Sequence, residues 1–244
     1  MIDLLLPPPL AVAEAFDDRA PAALYPAEAR VVSRSVARRR REFATVRACA
    51  RRALGALNVA PAPILPGERG APQWPAGTVG SMTHCANYRA AAVAHAGDVV
   101  SVGIDAEPNV PLPSDGTREL VTLAAERTHL AALRARRPEV CWDRLVYSAK
   151  ESVYKTWFPL TGRWLDFEEA EVTVDPDRGT FVARLLVPGP VIGGRRVREF
   201  HGSWLLSHDT LLTAIAVTRT TALTGHPLRP HRPVVADAVL RPGG

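Results

Sequence analysis

The stretch Gly103-Ile104-Asp105-Ala106-Glu107-Pro108 ends an apolar run with two carboxylates one residue apart. In a strand, alternate side chains share a face. Val100, Val102, Ile104 and Ala106 then point one way, and Asp105 and Glu107 the other. Their Cα atoms lie about 6 to 7 Å apart. Two such carboxylates can converge on one hard cation, and an incomplete cage of protein oxygens suits a magnesium ion that also holds substrate phosphates. The plain alternative is a solvated strand end that is acidic on one face. A third carboxylate, Glu151, stands in Ser148-Ala149-Lys150-Glu151-Ser152-Val153-Tyr154-Lys155. On a helix, Glu151 and Lys155 share a face opposite an apolar stripe. Alone they are an exposed pair contributing about 0.3–0.5 kcal/mol. Set beside Asp105 and Glu107, Glu151 becomes a third metal ligand, with Lys150 and Lys155 facing phosphate oxygens. Its place between two lysines should keep it ionised.

Two further groups precede these. Gly80-Ser81-Met82-Thr83-His84 puts a histidine after a short strand, where it can donate to a phosphate, act as a base, or simply be a satisfied structural histidine. Arg38 to Arg41, with Arg47 and Arg51, line one helix face, either solvated or able to grip a phosphate bidentately. Of 30 basic residues only Lys150 and Lys155 are lysine. An ammonium is a compact point charge that an arginine fork cannot replace everywhere. Cys49, Cys85 and Cys141 are odd in number and widely spaced, so they form neither a disulfide framework nor a zinc pattern. There is no glycine-rich phosphate loop, no Gly-x-Ser-x-Gly elbow and no His-Glu-x-x-His.

The elements that must position these residues belong to a globular chain of 244 residues, 47% hydrophobic and 23% charged. That composition excludes a mainly disordered chain and a coiled coil. No apolar run approaches the roughly 18 residues of a membrane span, and prolines at 7 to 9 break the apolar start, so no signal peptide is read. A reducing, cytoplasmic location follows from the cysteine usage. Residues 1–27, rich in proline and alanine, are expected to wrap the surface. Residues 28–57 read as helix, residues 58–75 as a long loop, and 82–85, 89–95 and 99–107 as strands. Residues 120–136 read as a helix. Trp142, Leu145, Val146, Ala149, Val153 and Trp157 stripe a second long helix expected to stop near Pro159. Strands follow at 170–174, 181–187, 204–207 and 211–217, then a flexible tail from 221 to 244. Gly80-Ser81-Met82 with His84 and a later apolar strand is echoed by Gly202-Ser203-Trp204 with His208, a hint of duplication. The expected organisation is therefore an N-terminal subdomain over 28–108 and a C-terminal one over 109–220.

Taken in order, Gly103-Ile104-Asp105-Ala106-Glu107 and Tyr147-Ser148-Ala149-Lys150-Glu151-Ser152-Val153-Tyr154-Lys155 resemble the paired signature motifs of the 4′-phosphopantetheinyl transferase superfamily, G-(I/V)-D-x-E and (F/W)-(S/C)-x-K-E-(A/S)-x-x-K. Ser81-Met82-Thr83-His84 matches its preceding Ser/Thr-His motif. The likeness is closest to the EntD/Sfp-type branch and its actinobacterial members, through the stretch from Trp157 to Ala170. The resemblance implies an α+β fold of two similar α/β subdomains in pseudo-twofold arrangement, with the active site between them. It implies transfer of phosphopantetheine from coenzyme A to a serine of an acyl or peptidyl carrier protein, with release of adenosine 3′,5′-bisphosphate. By that likeness Asp105, Glu107 and Glu151 bind the metal, magnesium or alternatively manganese. Lys150 and Lys155 lie near the pyrophosphate, His84 at the nucleotide 3′-phosphate, and Arg39 and Arg47 on phosphate, with Thr83 also among the coenzyme A-binding residues. Many relatives carry a coenzyme A-contacting lysine in the loop before the Ser/Thr-His motif; here Arg69 is the candidate in its place. Glu151 is the expected base for the serine hydroxyl, assisted by Lys155.

The net charge of +5 suits an acidic carrier helix, with residues 110–137 as the expected dock. The protein is expected to act as a monomer, with no nucleic-acid or membrane partner. Two other readings compete. One is a nucleic-acid-binding module built on the arginine helix, against which stand the modest charge and the lack of interleaved aromatic residues. The other is a magnesium-dependent phosphohydrolase of coenzyme A or a nucleotide.

Overall fold

The structure is a computed structural model that describes residues 1–18 and 23–219. The tail expected at 221–244 lies outside the described residues. In chain order the elements are β1 (Ala11–Ala15), α1 (Pro26–Val31), α2 (Ala37–Ala56), β2 (Thr78–Cys85), β3 (Tyr88–His95), β4 (Val99–Pro108), α3 (Asp115–Val121), α4 (Ala124–Arg136), α5 (Trp142–Thr161), β5 (Ala170–Asp175), β6 (Thr180–Leu185), β7 (Val191–Ile192), β8 (Arg195–Arg196), β9 (Glu199–Ser207) and β10 (Thr210–Thr218). Two antiparallel sheets result. One has the order β1-β3-β2, the other β4-β10-β9-β6-β5, and β7 and β8 make a small separate ribbon. This is the α+β architecture that the family resemblance implied.

Each sheet buries one face under a long helix. On α2 the residues Cys49, Ala50, Ala53 and Leu54 recur at helical spacing and pack on Ala91 and Val93 of β3. The apolar stripe read on α5 is wholly buried against the larger sheet, and Trp142 meets Trp204 edge-on with ring centroids 5.4 Å apart. Helix α5 ends two residues past Pro159. It runs on to Thr161 and closes on Gly162, which takes the left-handed conformation (φ 64°) and donates its N–H to Phe158 O at 2.8 Å. A proline so near the C-terminus removes one bond without ending the helix.

The duplication is real and reaches further back than residue 28. In the first half Val93 pairs with Gly80 on one side and Ala11 on the other; in the second Ile215 pairs with Gly202 and Gly103. Both hairpins turn on two residues, with Asn87 (φ 57°) in the first and His208 and Asp209 (φ 48° and 58°) in the second held left-handed. The repeat is thus β1-α2-β2-β3 against β4-α5-β9-β10. Three readings from sequence change accordingly. Residues 1–27 do not merely wrap the surface: β1 is the structural counterpart of β4, and Ile2 is fully buried. Strand β4, grouped by sequence with the N-terminal half, pairs with β10 in the second sheet. His84 lies within β2 while His208 lies in a turn, so they are not equivalent positions; Ser81 matches Ser203 instead.

The halves meet where β2 runs beside the free edge of β4. No ladder joins them. The Ile104 N–H donates to Ser81 Oγ at 3.1 Å, and the Ala106 N–H donates to Thr83 Oγ1 at 3.0 Å. Side-chain hydroxyls therefore satisfy the unpaired strand edge, whose burial would otherwise be costly. Behind the seam Tyr88, Ala90, Val102, Ile104 and Leu212 form a core shared by both halves. Among the described residues no helix is long and apolar enough to cross a membrane.

Candidate active site

On β4 the alternation read from sequence holds from Val102 onward, while Val100 packs against the core under α5 instead. Ile104 and Ala106 enter the shared core, and Asp105 and Glu107 project along the seam. Helix α5 crosses this strand at close range because residue 103 is glycine. A Cβ there would stand 2.1 Å from Ser152 O and 2.4 Å from Thr156 Oγ1. The contact is stitched by Ser101 Oγ donating to Thr156 O at 2.8 Å. It brings Lys155 onto the strand, where its ammonium donates to Ile104 O (3.0 Å) and Asp105 Oδ1 (2.7 Å). Thr83 Oγ1 also donates to Asp105 Oδ1, at 3.3 Å. Glu107 Oε2 accepts from Arg144 Nη1 at 3.0 Å, and Arg144 is itself anchored on Val110 O and Pro111 O.

The acids feel one another. Burial raises the Glu107 carboxyl to about 7, Asp105 pushes the same way, and Arg144 opposes. Burial raises Glu151 as well; Lys155 opposes this and Asp105 adds to it. Glu151 is therefore not simply held ionised by two lysines, as its sequence position suggested. Tyr147 is pushed up to about 12 by burial and then by the charges of Glu151, Glu107 and Asp105. Asp105 Oδ2 is buried without a hydrogen-bond partner among the described residues.

Among the described residues no group of three or more His, Cys, Asp or Glu side chains is placed to hold a metal ion as it stands. The chemical type of the donors nevertheless suits a hard divalent cation. The groups are carboxylates, one buried oxygen has no partner, and Lys155 and Arg144 carry the positive charge against the acids.

The two lysines part company. Lys155 keeps 27% of its side chain exposed and spends two N–H groups on Ile104 and Asp105, leaving a third with no protein acceptor among the described residues. Lys150, expected to face phosphates, points instead into the protein. Its ammonium donates to Val121 O (2.9 Å), Glu126 Oε2 (2.9 Å) and Phe167 O (2.7 Å). That is the full complement of an ammonium. Burial lowers its pKa, against the attraction of Glu126.

Across the seam Arg39 Nη1 and His84 Nε2 lie 2.6 Å apart in an exposed pair. A guanidinium can only donate, so Nε2 accepts from Arg39; partial desolvation and then the cations Arg39 and Lys155 lower the His84 pKa. Arg47 is buried: its guanidinium lies 3.4 Å from the Phe43 ring centroid, and Nε donates to Ile64 O at 3.3 Å. Burial lowers its pKa to about 10. Arg69 is in a left-handed conformation (φ 50°) and stacks over Trp164 at 5.2 Å, linking the loop of the first half to the second.

The family model described as the 4′-phosphopantetheinyl transferase N-terminal domain matches residues 27–94, and that of the 4′-phosphopantetheinyl transferase superfamily matches residues 101–215. The chain is 60% identical over 221 residues to the 4′-phosphopantetheinyl transferase Svp of Streptomyces mobaraensis, covering 89% of each chain. It is 47% identical to the 4′-phosphopantetheinyl transferase PptT of Mycobacterium tuberculosis, over 85% of this chain and 92% of that one. It is 46% identical to the 4′-phosphopantetheinyl transferase Npt of Nocardia iowensis, over 88% of this chain and 99% of that one. The chain belongs to the 4′-phosphopantetheinyl transferase superfamily.

As a member of this transferase superfamily the chain divides as its sheets do. The two family models part between residues 94 and 101, and β4 begins at Val99. Hydrogen bonds at the seam join Thr83 of β2, Asp105 of β4 and Lys155 of α5; Glu107 and Glu151 feel the charge of Asp105, and His84 that of Lys155. Lys150 is not among them. Sequence reasoning missed Arg144, which neutralises Glu107 from one turn before the transferase motif on α5, and it missed Glu126, the buried partner of Lys150. Arg144 had a legible signal, since it stands seven residues ahead of Glu151, two helical turns along the same face. Glu126 had none.

Proposed function

We infer that this chain transfers the 4′-phosphopantetheine group from coenzyme A to a serine of an acyl or peptidyl carrier protein, releasing adenosine 3′,5′-bisphosphate. The observation that carries this reading is the seam itself, where the signature residues of both halves of a transferase of this superfamily converge on Asp105. Asp105, Glu107 and Glu151 are the residues that would hold magnesium, or manganese. When bound, such an ion neutralises charge on the diphosphate as the phosphoanhydride bond breaks.

The chain's own residues supply the rest. Lys155 offers its remaining N–H to a phosphate oxygen from a position fixed by Ile104 and Asp105. His84 and Arg39, paired at the mouth of the seam, and the buried Arg47 behind them make the end of the site that suits the nucleotide 3′-phosphate. Thr83 holds Asp105 and thereby the register of the two halves. Arg69 takes the place of the loop lysine of relatives. Glu151 takes the proton of the attacking serine hydroxyl, directly or through water, which a hydroxyl nucleophile requires. The carrier serine arrives at the start of an acidic helix, and the dock is the face carrying Val110, whose carbonyl accepts from Arg144, and Leu120, both exposed apolar residues. On this reading the enzyme acts as a monomer, in the cytoplasm, without nucleic acid or membrane.

Incubation with coenzyme A, magnesium and a panel of apo carrier proteins tests the activity. The expected result is a mass gain of one phosphopantetheine on a carrier, seen by intact-mass spectrometry and lost on chelation of the metal. Phosphate released from coenzyme A with no carrier present, and no carrier modified, would establish the phosphohydrolase instead. The role of Glu151 has its own test. Glu151→Gln keeps the shape and removes the base, and should slow transfer at saturating substrates by about 10²–10⁴-fold. A near-full rate for that variant with magnesium present would remove Glu151 from the proton transfer.

A further inference from the structure

We propose that Lys150 and Glu126 are a positioning pair that sets the carrier-facing segment against the catalytic helix, and that neither touches coenzyme A. The proposal rests on the docking face assigned above. The two side chains are only 2% and 1% exposed. Around the Lys150 nitrogen stand three acceptors from three different pieces of chain: the end of α3 (Val121 O), the start of α4 (Glu126) and the turn before β5 (Phe167 O). Glu126 extends the tie. Its Oε2 accepts the Leu123 N–H at 2.7 Å, capping α4, and its Oε1 accepts the Val172 N–H at 2.6 Å on the outer edge of β5.

One ion pair thus fastens four backbone positions to the residue next to Glu151. What it fastens is the segment bearing Leu120, 72% exposed at the end of α3. It also fastens Phe167, whose ring meets Tyr147 with centroids 5.8 Å apart, on the side of α5 that feels all three acids. This accounts for one of the two lysines in a chain whose other basic residues are arginine. Three acceptors around one nitrogen match an ammonium, whereas a planar guanidinium spreads its N–H groups over three nitrogens in one plane.

The test is steady-state kinetics of purified Lys150→Met, Lys150→Arg and Glu126→Gln, with Leu120→Asp alongside, varying coenzyme A and the apo carrier separately. Rates are normalised to the fraction of protein that binds coenzyme A by calorimetry. The expected result is a carrier KM raised about tenfold or more in both Lys150 variants, less in Glu126→Gln, which keeps an acceptor, and a coenzyme A KM within about twofold of the parent throughout. A coenzyme A KM raised about tenfold with the carrier KM unchanged would make Lys150 a phosphate ligand and overturn the proposal. So would a lowered melting temperature with both KM values unchanged, which is a merely structural role. Should the Lys150 variants not fold, Glu126→Gln carries the same comparison. Leu120→Asp separates the two ideas. If it raises the carrier KM while the Lys150 and Glu126 variants do not, the dock stands and the positioning pair falls. If it leaves the carrier KM unchanged while they raise it, the pair stands and the dock lies elsewhere on the fastened segment.

Discussion

Asp105→Asn should abolish transfer, lowering the rate by at least about a thousandfold, the scale on which a precisely placed electrostatic group is lost from an active site. The substitution keeps the side-chain shape, so the melting temperature should move by only about 4 °C or less, the shift expected from about 1 kcal/mol in a domain of this size. The reason for so large a kinetic effect is the number of things Asp105 does at once. Its Oδ1 receives both Lys155 and Thr83, so it fixes the ammonium and joins β2 to β4. Its Oδ2 is a buried oxygen with no hydrogen-bond partner among the described residues, the atom best placed to serve something outside the chain. An amide in its place puts a donor toward Lys155 or at the Oδ2 position, and either choice removes an acceptor the site uses. A second readout is independent of turnover. Because Asp105 raises both Glu107 and Glu151, removing its charge should let both carboxyls titrate lower, and Glu107 should fall below about 7. Carboxyl carbon chemical shifts followed against pH would show it. Unchanged titration of both glutamates, or a transfer rate within about tenfold of the parent, would mean that Asp105 is not the centre of the site.

How much of this could be read from the sequence depends on which residues had to be compared. The face of β4 was legible because a strand has a period of 2 and Pro108 ends it; nothing outside the segment was needed. The stripe of α5 was legible for the same reason, at helical period. Strand β1 was not. Ala-Val-Ala-Glu-Ala carries little strand propensity, and its membership comes from pairing with β3, far along the chain. The misplacement of Lys150 had a signal that was passed over. At about 100° per residue Glu151 and Lys155 differ by about 40° around the helix, but Lys150 and Lys155 differ by about 140°. Both cannot face one diphosphate unless a side chain bends back, and a motif written as a string hides the angle. Where Lys150 goes, by contrast, was beyond reach: its three acceptors come from α3, α4 and the turn before β5, whose approach to α5 only the fold determines. The same holds for the seam. Ser81 and Thr83 looked like a motif preceding a histidine, and nothing local says that their hydroxyls replace a sheet ladder between two halves.

Gly103→Ala is the prediction that ties the signature motif to packing, and it should cost about a hundredfold in transfer rate together with about 1–3 kcal/mol of stability. A glycine is required at this point by proximity. Its backbone lies in an ordinary strand, and an alanine would be conformationally acceptable there. What forbids it is α5: the added carbon would fall 2.1 Å from Ser152 O and 2.9 Å from Thr156 N, both backbone atoms, as well as 2.4 Å from Thr156 Oγ1. Backbone of a packed helix cannot rotate away, so the helix must shift by an ångström or so relative to β4, and interiors at this density transmit such a shift along the element. Glu151 stands one residue before the contact and Lys155 three residues after it. They move with the helix, while Asp105 and Glu107 stay on the strand. The ion pair between Lys155 and Asp105 at 2.7 Å is what the displacement opens. Gly97→Ala is the matching control. A Cβ there meets nothing within 4 Å, so its transfer rate and melting temperature should equal the parent's. Transfer rates and thermal melts of the two variants decide the matter. A Gly103→Ala enzyme that melted lower but turned over normally would show that the spacing of α5 and β4 stabilises the fold without setting the site.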